Sequence, residues 1–206
     1  MPQIDYYFSL ASSWAYIGHV AFTEIARKYG VEIRYKPVPL ADVFAESGGL
    51  LLPKRHPARQ RYRILELQRW REKRKLNFRL HPKHWQFDAT LADCFAIAVA
   101  AKHDPNAFLR DAFAAIWEGD RNLAEPETLV QLADKIGLPG ATLLATARSN
   151  KIRAHYHRHY QDAVATGVIG SPCYVLNTEV FWGQDRLELL SDALASGRAP
   201  YRADAH

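Results

Sequence analysis

The sequence predicts an α/β fold in which a single sheet is interrupted by a large all-helical block. Three observations predict it. The chain opens with a strand–helix–strand pattern and closes with a helix–hairpin–helix pattern. Between them, Ala41 to Ser149 carries helical periodicity and no convincing strand. The expected division is therefore residues 1–40 with 150–206 for the sheet domain, and 41–149 for the inserted helical domain.

Each element has its own warrant. Ile4 to Leu10 is rich in Tyr, Phe and Leu and reads as a buried strand. From Ser13 the apolar positions Trp14, Ile17, Val20, Phe22, Ile25 and Ala26 follow helical spacing, and Gly30 is a fitting stop. Val31, Ile33 and Tyr35 then alternate with Glu32, Arg34 and Lys36, a half-buried strand ended by Pro37 and Pro39. A strand–helix–strand unit of this kind is expected to be parallel with a right-handed crossover. In the middle block the clearest helical patterns are Pro57–Arg74, Ala89–Lys102, Pro105–Glu118, Pro126–Ile136 and Gly140–Arg148, with prolines between or at the start of segments. A further helix is expected around Ile152 to Thr166. Cys173–Leu176 and Glu179–Trp182, joined by Asn177 and Thr178, read as a hairpin. Asp185 followed by Glu188 has the side chains for a capping box on the last helix.

Composition narrows the class. The 206 residues are 48% hydrophobic and 12% aromatic, which describes a globular chain with a real core. No basic n-region precedes an apolar stretch, and no run approaches about 18 apolar residues, so neither secretion nor a membrane partner is expected. Cys94 and Cys173 are the two cysteines and have no metal-ligand spacing, which fits a reduced, cytoplasmic location. The net charge of +5 is local in origin: from Lys54 to Lys75 ten Lys and Arg face two Glu. Such a patch suits phosphates, an anionic small molecule or plain solvation. As a nucleic-acid module it lacks recognisable stacking aromatics, and no nucleic-acid partner is expected.

Three places could carry chemistry. Ser12 stands at or beside a helix N-terminus, where free N–H groups favour negative charge. The residues alone allow a plain N-cap or a hydrogen-bond donor to an anion brought by a ligand. No G-x-S-x-G elbow surrounds it, which argues against an acyl-enzyme hydrolase. Ser171-Pro172 precedes a strand and makes a tight turn whose proline is cis or trans. Gln184-Asp185 follows Gly183 at the end of the hairpin, where a carboxylate and exposed amides converge. His155 and His159 share a helical face, yet no acidic or cysteine partner joins them, and no metal is expected.

The stretches YYFSLASSWAYIG, GVIGSPCYVL and FWGQDRL resemble the signatures of 2-hydroxychromene-2-carboxylate isomerases, relatives of kappa-class glutathione transferases and of DsbA-type oxidoreductases. The resemblance covers nearly the whole chain and implies a thioredoxin-like fold with a large inserted all-helical domain. It also implies glutathione as cofactor and a small aromatic acid as substrate. It places Ser12 where the oxidoreductases keep the attacking cysteine, so SSWA replaces C-x-x-C and disulfide exchange is not expected. It makes Pro172 cis and assigns Ser171, Pro172, Gln184 and Asp185 to glutathione, and Trp14, Lys36, Arg59 and Tyr62 to substrate or ligand contacts. The sequence departs from the family at Ser13, where proline is usual, and at Gly49, where asparagine is common. The implied reaction interconverts 2-hydroxychromene-2-carboxylate and trans-o-hydroxybenzylidenepyruvate. A glutathione transferase or peroxidase on the same scaffold is the alternative, and the choice between monomer and homodimer stays open.

Overall fold

The computed structural model describes residues 2–204; the outer ends of the expected domain ranges, 1 and 205–206, lie outside the described residues. The chain runs β1 (Gln3–Phe8), α1 (Ser13–Lys28), β2 (Glu32–Pro37), α2 (Leu40–Ser47), α3 (Pro57–Lys73), α4 (Thr90–Ala100), α5 (Asn106–Trp117), α6 (Pro126–Lys135) and α7 (Gly140–Ala147). It continues with α8 (Asn150–Thr166), β3 (Cys173–Leu176), β4 (Glu179–Trp182) and α9 (Leu187–Ser196). The sheet has the order β2-β1-β3-β4, with β1 and β2 parallel and the other pairs antiparallel.

The near-continuous apolar run of β1 follows from burial on both faces. Ile4, Tyr6 and Phe8 point into the main core, and Tyr7 into a smaller one with Val38, Val43, Ala163 and Cys173. In the main core Tyr6 stacks on Phe8 at 4.6 Å and on Tyr174 at 5.4 Å, while Phe22 of α1 meets Tyr174 at 4.5 Å. The same core extends without a break into the helices of the insertion through Tyr16, Phe113 and Trp117. The hairpin turns on Asn177 and Thr178, both at positive φ, as a tight two-residue turn requires.

The short helix α2 opens the helical block, with Pro39 before it and Gly48, at φ +75°, after it. One expectation needs correction. Asp185 does not cap the last helix. A 3₁₀ turn over Gln184–Arg186 delays the start of α9 to Leu187, and the Asp185 carboxylate pairs with Arg186 at 2.6 Å.

Helix α1 lies directly on that turn. A Cβ at Gly18 would sit 2.6 Å from Gln184 Cβ and 2.9 Å from the Tyr174 hydroxyl, both held in packed structure. Gly→Ala inside a helix ordinarily gains about 1 kcal/mol. Here the clash reverses the sign: Gly18→Ala is expected to lower stability by about 1–3 kcal/mol, read as a fall in the urea midpoint without loss of cooperativity.

Candidate functional site

The strand-to-helix junction of the opening segment forms one wall of a cleft of about 510 Å³. Ser12 is the N-cap of α1: its extended backbone ends β1's loop, and its Oγ accepts the Ala15 N–H at 3.2 Å. The same hydroxyl donates to the Ser171 carbonyl at 3.1 Å, tying the helix tip to the turn before β3. Ser171-Pro172 is cis. The Ser171 hydroxyl accepts the Ser9 N–H at 3.1 Å, and the Pro172 carbonyl accepts the Gly183 N–H at 2.9 Å. Ser12, Trp14 and Ser171 all line the cleft. The N–H groups of Ser13, Trp14 and Ser171 have no hydrogen-bond partner among the described residues.

The floor is built from the helical block. Asp93, fully buried on α4, accepts the Leu10 N–H at 2.8 Å, the Ser9 hydroxyl at 2.9 Å and the Tyr156 hydroxyl at 3.0 Å. Burial outweighs these hydrogen bonds and raises its carboxyl to about 7. Trp85 donates its indole N–H to the Ala11 carbonyl at 2.9 Å, and Arg63 of α3 donates to Ser13 Oγ at 2.9 Å. Phe44 and Leu51 to Pro53 also line the cleft.

The remaining expected site residues lie elsewhere. Lys36 does not line the cleft; its ammonium sits 3.1 Å from Asp5 and 2.7 Å from Asp162. Arg59 and Tyr62 are exposed on α3, outside the cleft lining. Gln184 is buried, accepting from Arg74 at 3.4 Å, and neither it nor the exposed Asp185 lines the cleft. Both residues follow directly on Gly183, whose N–H meets Pro172, so they stay close to the cis turn along the chain.

Arg63, Trp85 and Asp93 were not singled out from the sequence as site residues. A signal existed for two of them. Arg63 lies one helical turn before the buried Leu67 and so shares its inward face. Asp93 interrupts an otherwise apolar helix, where a carboxylate survives only with several donors.

Neither cysteine offers a reactive sulfur. Burial pushes the Cys173 thiol up to about 12 and the Cys94 thiol up to about 11. His159 is drawn to the Pro37 carbonyl through Nδ1 at 3.1 Å, and burial lowers it to about 4. Among the described residues no group of three or more His, Cys, Asp or Glu is gathered to hold a metal ion, and no helix is long and apolar enough to cross a membrane.

A family model for the DSBA-like thioredoxin domain matches residues 3–195. The chain is 26% identical to a 2-hydroxychromene-2-carboxylate isomerase of Sphingobium xenophagum over 93% of this chain and 97% of the relative. It is 24% identical to glutathione S-transferase kappa 1 of Caenorhabditis elegans over 94% and 91% of the two chains. Among solved structures, a 2-hydroxychromene-2-carboxylate isomerase superposes with a TM-score of 0.83 at 23% identity, covering 94% of this chain and 95% of that one. The cytosolic disulfide reductase DsbM from Pseudomonas aeruginosa, solved with GSH, gives 0.68 at 17% identity, with coverage of 94% and 96%. These likenesses speak for a thioredoxin-like fold carrying a helical insertion. With residues 3–195 of its 206 matched by the family model, the chain belongs to the DsbA-like thioredoxin domain family.

Proposed function

We propose that the protein is a glutathione-dependent isomerase that interconverts 2-hydroxychromene-2-carboxylate and trans-o-hydroxybenzylidenepyruvate. One observation carries the reading: the family's thiol position is a serine on a helix tip, and neither chain thiol is ionisable near neutrality. Such a site suits sulfur delivered by a ligand. The relatives named isomerases support the reaction, and the kappa transferase relative and the GSH-bound neighbour support glutathione.

The residues present fit a thiolate. Ser12 Oγ–H turns from the Ser171 carbonyl to the sulfur, exchanging a neutral acceptor for a charged one. The unpartnered N–H groups of Ser13 and Trp14 and the helix dipole add positive potential. A free thiol near pKa ~8.5 is a few per cent ionised at neutral pH, and lowering it by ~1–2 units takes roughly 1.4–2.7 kcal/mol. One charge-assisted hydrogen bond at about 1.5–3 kcal/mol, with the dipole at about 0.3–1, reaches that figure. The chemistry glutathione supplies when bound is reversible addition of its sulfur to the conjugated double bond, which becomes a single bond free to rotate. Ser171 offers its free N–H to the tripeptide backbone, and Asp185, exposed beyond Gly183, is the carboxylate for the γ-glutamyl ammonium. Trp14 walls the aromatic ring.

The test is direct. Purified protein with 2-hydroxychromene-2-carboxylate is expected to form trans-o-hydroxybenzylidenepyruvate only when glutathione is present. Equal turnover without glutathione removes the cofactor assignment. Absence of isomerisation together with conjugation of a chlorinated aromatic selects the transferase alternative, which the kappa relative favours.

A further inference from the structure

We propose that Arg63 is the carboxylate-binding group of the cleft, a specificity-determining residue for an organic acid lodged beside Ser12. The identity of that acid rests on the isomerase reading; the anion site itself does not.

Arg63 is 9% exposed, yet no acidic side chain pairs with it among the described residues. Its guanidinium carries five N–H donors, and a single hydrogen bond is formed, from Nη2 to Ser13 Oγ. Nε and Nη1 donate to none of the described residues, and neither is sealed from solvent, so both stay available on the cleft side. One face of the guanidinium lies 4.6 Å from the Trp85 ring, itself pinned to Ala11. The carboxylates around the same cleft form no ion pair with it: Asp93 accepts three hydrogen bonds, Asp88 accepts the Thr90 N–H, and Asp42 is exposed. Burial, with Arg55 adding to it, lowers the guanidinium to about 10, so it is still cationic at neutral pH.

A buried cation without a counter-ion is costly unless something completes it. A carboxylate does so with the geometry the fork prefers, two parallel N–H···O bonds in its plane. The surroundings select an acid with a ring. Trp14, Trp85, Phe87 and Leu52 line the same cleft and offer flat apolar surface, and Arg55 and Lys54 add positive field at the mouth. Ser13, which replaces the family's usual proline, is the acceptor that holds Arg63 here. By contrast Lys36 already has Asp5 and Asp162, and Arg59 lies outside the lining. A carboxylate could come from the aromatic acid or from glutathione, and the chemistry is shared.

The experiment separates the two sources. Benzoate, uncharged benzyl alcohol and glutathione are each titrated by tryptophan fluorescence against the full-length parent, Arg63→Gln and Arg63→Lys. Arg63→Gln is expected to weaken benzoate about 10- to 100-fold. Affinities for benzyl alcohol and glutathione stay within about twofold, and Arg63→Lys recovers part of the loss. Unchanged benzoate affinity in Arg63→Gln overturns the proposal. So does weakened glutathione binding with unchanged benzoate binding, which would give the fork to the tripeptide. Benzoate binding is read without turnover. A protein that binds it through Arg63 but isomerises nothing keeps this inference and sinks the isomerase reading.

Discussion

Ser12→Ala is expected to cut kcat/KM for the chromene substrate by about 10- to 150-fold, the equivalent of one hydrogen bond to a charged partner at about 1.5–3 kcal/mol. The signature is a pH profile and not the rate alone. In the proposed reaction Ser12 holds the sulfur's ionised form, so its loss is expected to raise the thiol pKa and move the acid limb of kcat/KM toward alkaline pH by about 1–2 units. The variant also loses the cap on Ala15, worth about 0.5–2 kcal/mol, which thermal unfolding reads separately. A profile that keeps both height and midpoint would leave the hydroxyl as a helix cap and nothing more.

Asp93→Ala is expected to be the most damaging single change to stability. It orphans the Leu10 N–H and the hydroxyls of Ser9 and Tyr156, three buried donors at about 1–3 kcal/mol each; with partial relief by water the loss is about 3–5 kcal/mol, measured from urea midpoints. Asp93→Asn retains acceptor capacity and isolates the charge. The folded carboxyl stands at about 7, above its unfolded value near ~3.9, so its contribution is full below about pH 4 and is lost as pH rises to about 7. His19 and His159, both lowered to about 4 by burial, act in the opposite sense. Their contribution is present above about pH 6.5 and lost as pH falls toward 4. Asp93→Asn should therefore gain stability relative to the parent as pH rises from about 4 to about 7, leaving a steeper acid decline from the histidines. A difference between variant and parent that does not change with pH would show that the carboxyl does not titrate in that window.

Much of the fold could be read because it rests on local chemistry. The period-2 and helical patterns, the prolines at helix starts and the Asn177-Thr178 turn each act over a few residues, and the hairpin appears at the positions the sequence suggested. What escaped was set by distance in the chain. Asp93 meets Leu10 across 83 positions and Arg63 meets Ser13 across 50, and no periodicity announces such pairs. Family motifs found Ser12, Trp14 and Ser171 together in the cleft, because strand, helix tip and turn converge there. For Lys36 the motif gave a position at a strand end, but Asp5 of β1 and Asp162, arriving from α8, together hold the ammonium. Asp185 had the side chain for a cap and lost that role to an adjacent arginine.

The two sides of the cleft are attached to the protein in different ways. Beside Ser12 the backbone is riveted through Asp93 and Tyr156 to helices α4 and α8, and through Trp85 to the connection between α3 and α4. At the rim, the segment of Leu50 and Leu51 is solvent-exposed and held by local bonds, from the Arg55 side chain to the Leu50 carbonyl and from the Lys54 N–H to the Leu51 carbonyl. Mount and rim are thus mechanically separable: exchanging side chains at 51–53 is expected to reshape the mouth while the corner around Ser12 keeps its alignment.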